Sequence, residues 1–163
     1  MRDATLDMVL APRAPLVRDD PAIRFKPIAH LRQIVIARRG HRLDNARSAG
    51  ALASDEWLCV VRRGATEQAL RSLGIPEPKH ITECASFSAM LALLARSDML
   101  AVVQHPFLDV PQAAQHVQEI QLAERLPGLT VGLHTRADAP LTRPAAALAR
   151  LLSDIGRSLL QKT

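Results

Sequence analysis

The chain has 163 residues, of which 48% are hydrophobic and 23% charged, a composition that supports a globular core and excludes a disordered chain. The first ten residues contain two acids and one arginine without a sustained apolar run, so we expect no signal peptide, no membrane span and a cytoplasmic location. The net charge is +5, but aromatic residues make up only 2% of the chain, too few for the stacking platforms that bind single-stranded nucleic acid.

The first part of the chain is predicted to be extended. Leu6–Leu10 is expected to form a buried strand that ends at the prolines after it, and the aspartates before Pro21 are expected to begin a turn. Ile23–Ala37 is long and contains Pro27, so we expect an extended crossover there instead of a single strand. Gly40–Ser54 is predicted to be a polar loop with one helical turn.

From residue 56 onward strands and helices alternate, as in a parallel, doubly wound sheet. The predicted elements are a strand at Glu56–Val61, a helix at Thr66–Leu73 closed by Gly74, a strand at Lys79–Cys84, a helix capped by Ser86 and a strand at Leu100–Val103. The apolar face of the capped helix has helical spacing and consists of Phe87, Met90, Leu91 and Leu94. The continuous apolar run of the last strand is expected where both faces of a strand are covered.

The last third of the chain returns through extended segments to a long helix. His105–Gln115 is predicted to be a short helix broken by two prolines, Val117–Leu122 a second extended crossover, and Leu129–Thr135 a returning strand. Thr142 is expected to cap the last helix. Its apolar stripe is predicted to consist of Leu148, Leu151, Leu152, Ile155 and Leu159.

Five segments together, in their order and spacing, resemble the effector-binding domain of LysR-type bacterial transcriptional regulators. They are Leu6–Pro12 (LDMVLAP), Ile34–Leu43 (IVIARRGHRL), Ser54–Leu58 (SDEWL), Glu83–Gln104 (ECASFSAMLALLARSDMLAVVQ) and Leu126–Leu152 (LPGLTVGLHTRADAPLTRPAAALARLL). The resemblance implies an α/β, periplasmic-binding-protein-like (type II) fold with two subdomains joined by two crossovers. It assigns residues 1–31 and 124–163 to the first subdomain, on which the last helix would pack, and residues 32–123 to the second.

The same resemblance implies that the chain corresponds to the C-terminal part of the effector-binding domain. The first subdomain is then incomplete, and the DNA-binding winged helix-turn-helix of the family is absent. We expect unpaired strand edges at Leu6–Leu10 and Leu129–Thr135, which favour pairing with another copy of the chain. A full-length regulator of this kind is expected to be a homo-oligomer that reaches DNA only through its N-terminal domain.

Candidate ligand-binding residues follow from the strand ends, because open α/β sheets bind ligands beyond the carboxyl ends of their strands. These ends supply Arg62, Ser86, Phe87, Gln104 and His105. The resemblance adds Arg32 at the first crossover, together with Pro12 and Ala14 in the loop after the first strand. An arginine with a helix N-terminus suits a carboxylate or sulfonate, and Phe87 can cover an apolar body, so a small organic acid is the expected effector.

Each of these residues also has an ordinary structural interpretation. Arg32 can be a surface arginine, Ser86 only a helix cap, Phe87 only a core contact, and His105 a structural histidine.

Enzymatic and metal functions have little support. The six histidines are widely spaced, without a helical pair, so no metal site is expected, and we expect Cys59 and Cys84 to be reduced. Phosphate loops, dinucleotide glycine fingerprints and nucleophile elbows are missing from the sequence, so we expect neither catalysis nor a cofactor.

Two alternatives to the sensor remain open. The strip Arg24–Arg47 holds much of the positive charge and could attract nucleic acid or an acidic protein, although a solvated basic face is the simpler interpretation. The chain could also be a truncated fragment that folds without binding a ligand.

Overall fold

The computed structural model describes residues 6–13, 20–60, 65–75, 78 and 80–160. The chain divides into two compact units, unit 1 (Met1–Leu31 with Gly128–Thr163) and unit 2 (Arg32–Pro127). The strands are β1 (Met8–Pro12), β2 (Ile23–Leu31), β3 (Gln33–Arg38), β4 (Glu56–Cys59), β5 (His80–Glu83), β6 (Leu100–Gln104), β7 (Val117–Glu119) and β8 (Leu129–Arg136). The helices are α1 (Ala65–Ser72), α2 (Phe87–Leu94), α3 (Pro111–His116) and α4 (Arg143–Leu160), and short 3₁₀ helices form at Ala49–Leu52 and His105–Asp109. The prediction of an α/β fold is therefore confirmed.

Unit 1 contains a three-stranded antiparallel sheet in the order β1-β8-β2. Two predictions are wrong here. The segment Leu6–Leu10 is not a buried strand, because the strand begins at Met8 and the side chain of Leu10 is half exposed. The returning strand β8 is not an edge, because it pairs with a neighbour on each side.

Helix α4 packs on β2 of the same unit through its small residues. Thr142 caps the helix as predicted, since its hydroxyl accepts a hydrogen bond from the Ala145 amide at 3.4 Å. A Cβ atom added to Gly156 would overlap the side chain of Ile28, so helix and strand approach closely at this point. The predicted leucine stripe is wrong for Leu148, Leu151 and Ile155, which are exposed, whereas Leu152 is partly buried and the side chain of Leu159 lies outside the described part of the chain. Because the helix and the strand approach closely, the face of α4 that carries alanine and glycine packs on the strand, and the face that carries the exposed leucines does not.

The first crossover is formed by two strands in direct succession. β2 ends at Leu31 and β3 begins at Gln33, which leaves Arg32 alone between them. The β2 register shifts between Pro27 and Ala29, as expected for a strand that carries a proline. The prediction of an extended crossover is confirmed.

Unit 2 contains a five-stranded sheet in the order β5-β4-β6-β3-β7. β4 runs parallel to both of its neighbours, whereas β3 runs antiparallel to β6 and β7. The sheet is thus mixed, and the prediction of a parallel sheet is correct only for β5, β4 and β6. Strand β6 is covered on both faces as predicted, with Leu100 and Ala101 fully buried.

The core of unit 2 consists of one apolar cluster on each face of this sheet. Trp57, Leu70 and Leu100 belong to the first cluster. Leu58, Met90 and Val103 belong to the second. Successive residues of a strand point to opposite faces, and for this reason Trp57 and Leu58 fall in different clusters.

Candidate functional site

Several predicted site residues lie at one edge of the unit 2 sheet. The parallel strands β5, β4 and β6 end at this edge, and the antiparallel strand β3 begins there, directly after Arg32. Gln33 pairs with Gln104 in the β3–β6 ladder, and the His105 amide donates a 2.8 Å hydrogen bond to the carbonyl of Arg32. The structure therefore brings Arg32, Gln104 and His105 together as direct neighbours.

The N-terminus of α2 lies at the same edge, after the end of β5. The hydroxyl of Ser86 accepts a hydrogen bond from the Ala89 amide at 3.4 Å, and its carbonyl accepts one from Met90 at 2.9 Å. A second hydroxyl, that of Ser88, lies 2.9 Å from the Ser86 hydroxyl. The prediction of an N-cap at Ser86 is confirmed. The first amides of a helix have no acceptor within it, so this end presents N–H groups and two hydroxyls to a ligand.

Phe87 is the first residue of α2, and its side chain is half exposed. It does not join Met90 and Leu94, which are fully buried, so its prediction as part of the apolar core face is wrong. Its ring instead lies against that of Phe107, with the ring centroids 6.1 Å apart and the planes tilted by 39°. The sequence analysis missed Phe107, although an aromatic residue three positions beyond the end of a strand is a signal in a chain with only three phenylalanines.

Arg32 is held by a second residue that the sequence analysis missed. Its guanidinium donates to both carboxylate oxygens of Glu119 at the end of β7, from Nη1 to Oε1 at 2.6 Å and from Nη2 to Oε2 at 3.2 Å. The side chain of Arg32 is 47% exposed, whereas that of Glu119 is only 13% exposed. The ion pair joins positions 87 residues apart, and nothing local in the sequence indicates it.

The strand ends that carry Ser86 and Arg32 are separated by three strand spacings, from β5 through β4 and β6 to β3, or about 14 Å. A small organic molecule together with one long side chain can bridge such a distance. Gln104 and His105 lie between these two ends and are half buried. They therefore occupy the middle of this edge.

The other predicted site residues lie elsewhere or outside the described residues. Pro12 is the last residue of β1 in unit 1 and is exposed. Arg62 and Ala14 both fall outside the part of the chain that the structure describes.

Three arginines of the basic strip make local contacts at the opposite edge of the unit 2 sheet. Arg39 donates from Nε and Nη2 to the carbonyl of Ala114 in α3, at 2.9 and 2.7 Å. The Nε of Arg38 donates to Asp98 at 2.8 Å, and this hydrogen bond lowers the pKa of that carboxyl group. Arg42 pairs with the buried carboxylate of Asp55, but burial is the stronger influence and raises the Asp55 pKa. These three guanidinium groups are thus paired within the chain, and the interpretation of the whole strip as a solvated basic face stays a prediction.

Neither a metal centre nor a disulfide is found in the described part of the chain. No group of three or more histidine, cysteine, aspartate or glutamate side chains there is placed to hold a metal ion. Cys59 and Cys84 are not joined by a disulfide. In the β4–β5 ladder Cys59 pairs with Glu83, and the Cys84 amide donates to the Cys59 carbonyl at 2.8 Å. No helix among the described residues has the length and apolarity needed to span a bilayer.

Comparison with known proteins gives concordant matches. Residues 1–156 match the model of the LysR substrate binding domain family. The chain is 30% identical to the SDS degradation transcriptional activation protein of Pseudomonas sp. (strain ATCC 19151), over 93% of this chain and 51% of that protein. It thus spans about half the length of this curated relative.

Solved structures with the same fold include two sensor domains with bound ligands. The regulatory domain of CcmR from Synechocystis PCC6803, in complex with 2-PG, is 18% identical with a TM-score of 0.72, over 96% of this chain and 76% of that one. The effector binding domain of QuiR, in complex with shikimate, is 15% identical with a TM-score of 0.69, over 96% of this chain and 75% of that one.

Proposed function

The chain belongs to the family of LysR substrate-binding domains, and on this basis we propose that it senses a small organic acid for a LysR-type transcriptional regulator. Family and fold are those of a regulator's ligand-binding domain and not of an enzyme. Binding of the acid would shift the population of sensor conformations, and the full-length protein would transmit that shift to DNA. We propose a cytoplasmic homo-oligomer as the functional form, with DNA contacts supplied by a part of the regulator outside this sequence.

The observation that carries the proposal is the edge of unit 2 formed by Arg32, Gln104, His105 and the start of α2. It combines the half-exposed ring of Phe87, which lies against the partly buried Phe107, with the hydroxyls and first amides of a helix N-terminus. A half-exposed aromatic ring beside polar groups offers an apolar surface on which the body of a ligand can pack. An acid with an apolar body fits both features, because its negative charge meets the helix N-terminus and its body covers the rings.

The arrangement assigns a role to each proposed contact. The Ser86 end of α2 would bind the acidic group, and Phe87 would pack on the apolar body. Gln104 and His105 would supply hydrogen bonds along the middle of the molecule. Arg32 would contribute the N–H groups that Glu119 leaves open. The names of two structural neighbours record bound ligands, 2-PG and shikimate, which supports a ligand-binding role for a domain of this fold.

The proposal is tested by isothermal titration calorimetry and thermal shift on the purified chain. The panel consists of benzoate, benzenesulfonate, hexanoate and hexyl sulfate, the last because the name of a curated relative refers to SDS degradation. An acid that binds the folded state raises the melting temperature with concentration. Phe87→Ala is expected to weaken this binding about tenfold, from the loss of one aromatic contact.

Leu93→Ala is the matched control, because Leu93 is also a half-exposed apolar residue of α2 but lies at the other end of the helix. It should leave the affinity unchanged. Equal losses in both variants, or binding that Phe87→Ala does not alter, would contradict the proposed site. A flat response to every acid on the panel would contradict the proposed ligand class.

A further inference from the structure

The pairing of Arg32 with Glu119 has a consequence for the charge of the effector. A lone arginine at the sheet edge would add a full positive charge to the site and would favour ligands with several negative charges. In the structure a carboxylate already occupies the Nη1–Nη2 end of the guanidinium through two hydrogen bonds. The Arg32 end of the edge therefore carries no net charge.

Displacement of Glu119 by an incoming anion is unfavourable. The Glu119 side chain is only 13% exposed, so breaking the pair would leave a carboxylate poorly solvated and without its cation. The half-exposed Arg32 side chain still has N–H groups that the pair does not use. A ligand can accept hydrogen bonds from these groups without breaking the ion pair.

We propose that Glu119 sets the charge class of the effector: the neutralised Arg32 end accepts an uncharged polar group, such as a hydroxyl or carbonyl, and disfavours a second acidic group. The inference rests on the proposed function, because it concerns the far end of the same site. It identifies the ligand as a monoacid with a polar substituent and not a diacid. Glu119 acts here as a positioning and specificity-determining residue.

The test measures the charge of the Arg32 end with inorganic sulfate, so that it does not depend on knowing the effector. Thermal melts of the wild type, Glu119→Gln and the double variant Arg32→Gln/Glu119→Gln are recorded against sulfate, with sodium chloride at matched ionic strength as reference. General salt stabilisation by sulfate is shared by all three proteins and rises without saturation. Binding at one site adds a response that saturates.

Glu119→Gln keeps the shape of the side chain and removes its charge, so Arg32 should then bind sulfate. The expected result is a saturable rise in melting temperature of about 3–6 °C when sulfate is roughly tenfold above its dissociation constant, seen in Glu119→Gln but not in the wild type or the double variant. A saturable response in the wild type that the double variant lacks would overturn the inference, because Arg32 would be open to anions despite Glu119. The inference would also be overturned if sulfate produced no saturable rise in the melting temperature of Glu119→Gln.

A folding control accompanies these melts. Far-ultraviolet circular dichroism of each variant without sulfate should match that of the wild type, and Glu119→Ala provides a second charge-free variant in which the sulfate response must recur. Failure of the proposed function appears separately, as a flat response of the wild type to the organic acids. The sulfate experiment can therefore fail while the organic acids bind, and the reverse can also occur.

Discussion

Replacement of Phe87 by alanine should lower the free energy of unfolding by less than replacement of a fully buried phenylalanine would. Full burial of a phenylalanine contributes about 1.5–3 kcal/mol, and Phe87 is 51% exposed, so its burial contributes about 1 kcal/mol. The contact with the Phe107 ring adds about 0.5–1.5 kcal/mol. Phe87→Ala is therefore expected to lower the free energy of unfolding by about 1.5–2.5 kcal/mol.

Met90→Ala on the same helix provides the comparison. Met90 is buried in the cluster between α2 and the sheet, and truncation of such a residue costs about 2–5 kcal/mol through lost contacts and a residual cavity. Both variants can be measured by urea unfolding followed by tryptophan fluorescence. The single tryptophan, Trp57, is fully buried in unit 2 and reports on the unit that contains both substitutions.

The ordering of the two variants decides whether Phe87 serves the core or a ligand. If Phe87→Ala lowers the free energy of unfolding as much as Met90→Ala does, with the same m value in urea, Phe87 is a core residue in solution. The proposed ligand-binding role of Phe87 would then lose its main support. A small stability loss together with weaker acid binding is the result that the structure leads us to expect.

Three further substitutions test other parts of the structure. Burial raises the pKa of Asp55 in the folded state, so stability rises as the pH falls from the folded pKa toward the lower pKa of the unfolded state; Asp55→Asn should flatten this part of a melting-temperature profile recorded from neutral to acidic pH. Gly132→Ala should destabilise unit 1 by about 2 kcal/mol or more in circular dichroism melts, because the added Cβ would overlap the Lys26 carbonyl oxygen in the β2–β8 ladder; an unchanged melt would mean that the strands separate at no cost. Leu151→Glu, on the exposed face of α4, should reduce concentration-dependent association in analytical ultracentrifugation with little change in stability; an association constant equal to that of the wild type would show that this face is not involved.

The elements of the chain could be predicted where local pattern decides the structure. The apolar run of β6, the Ser86 cap and the helix end at Gly74, whose φ is +76°, all follow from residue types at fixed spacing. The direction of β3 in the sheet could not be predicted in this way, because strand direction depends on how the chain crosses between units. The residue types within β3 do not indicate that direction.

Face assignments failed where packing distance outweighed hydrophobicity. Helical periodicity assigns the largest apolar residues to the core, but α4 approaches β2 so closely at Gly156 that its small residues face the sheet. Phe87 was misassigned for a related reason, because the first residue of a helix lies at its end, where a shared helical face does not guarantee burial. The Arg32–Glu119 ion pair could not be predicted from the sequence, because it forms only when Arg32, before β3, and Glu119, at the end of β7, are brought to the same edge of the sheet.

The pairing of β4 with β5 also determines how the protein responds to oxidants. Because Cys59 is in register with Glu83, the neighbouring Cys84 points to the other face of the sheet, where it packs against the cluster of Leu58 and Met90. A disulfide between the two thiols would require one strand to slip by a residue, which would turn its whole set of side chains to the wrong face. Adjacent cysteines in neighbouring strands are thus kept apart by the alternation of the strand itself, and mild oxidation should leave the unit without an internal cross-link.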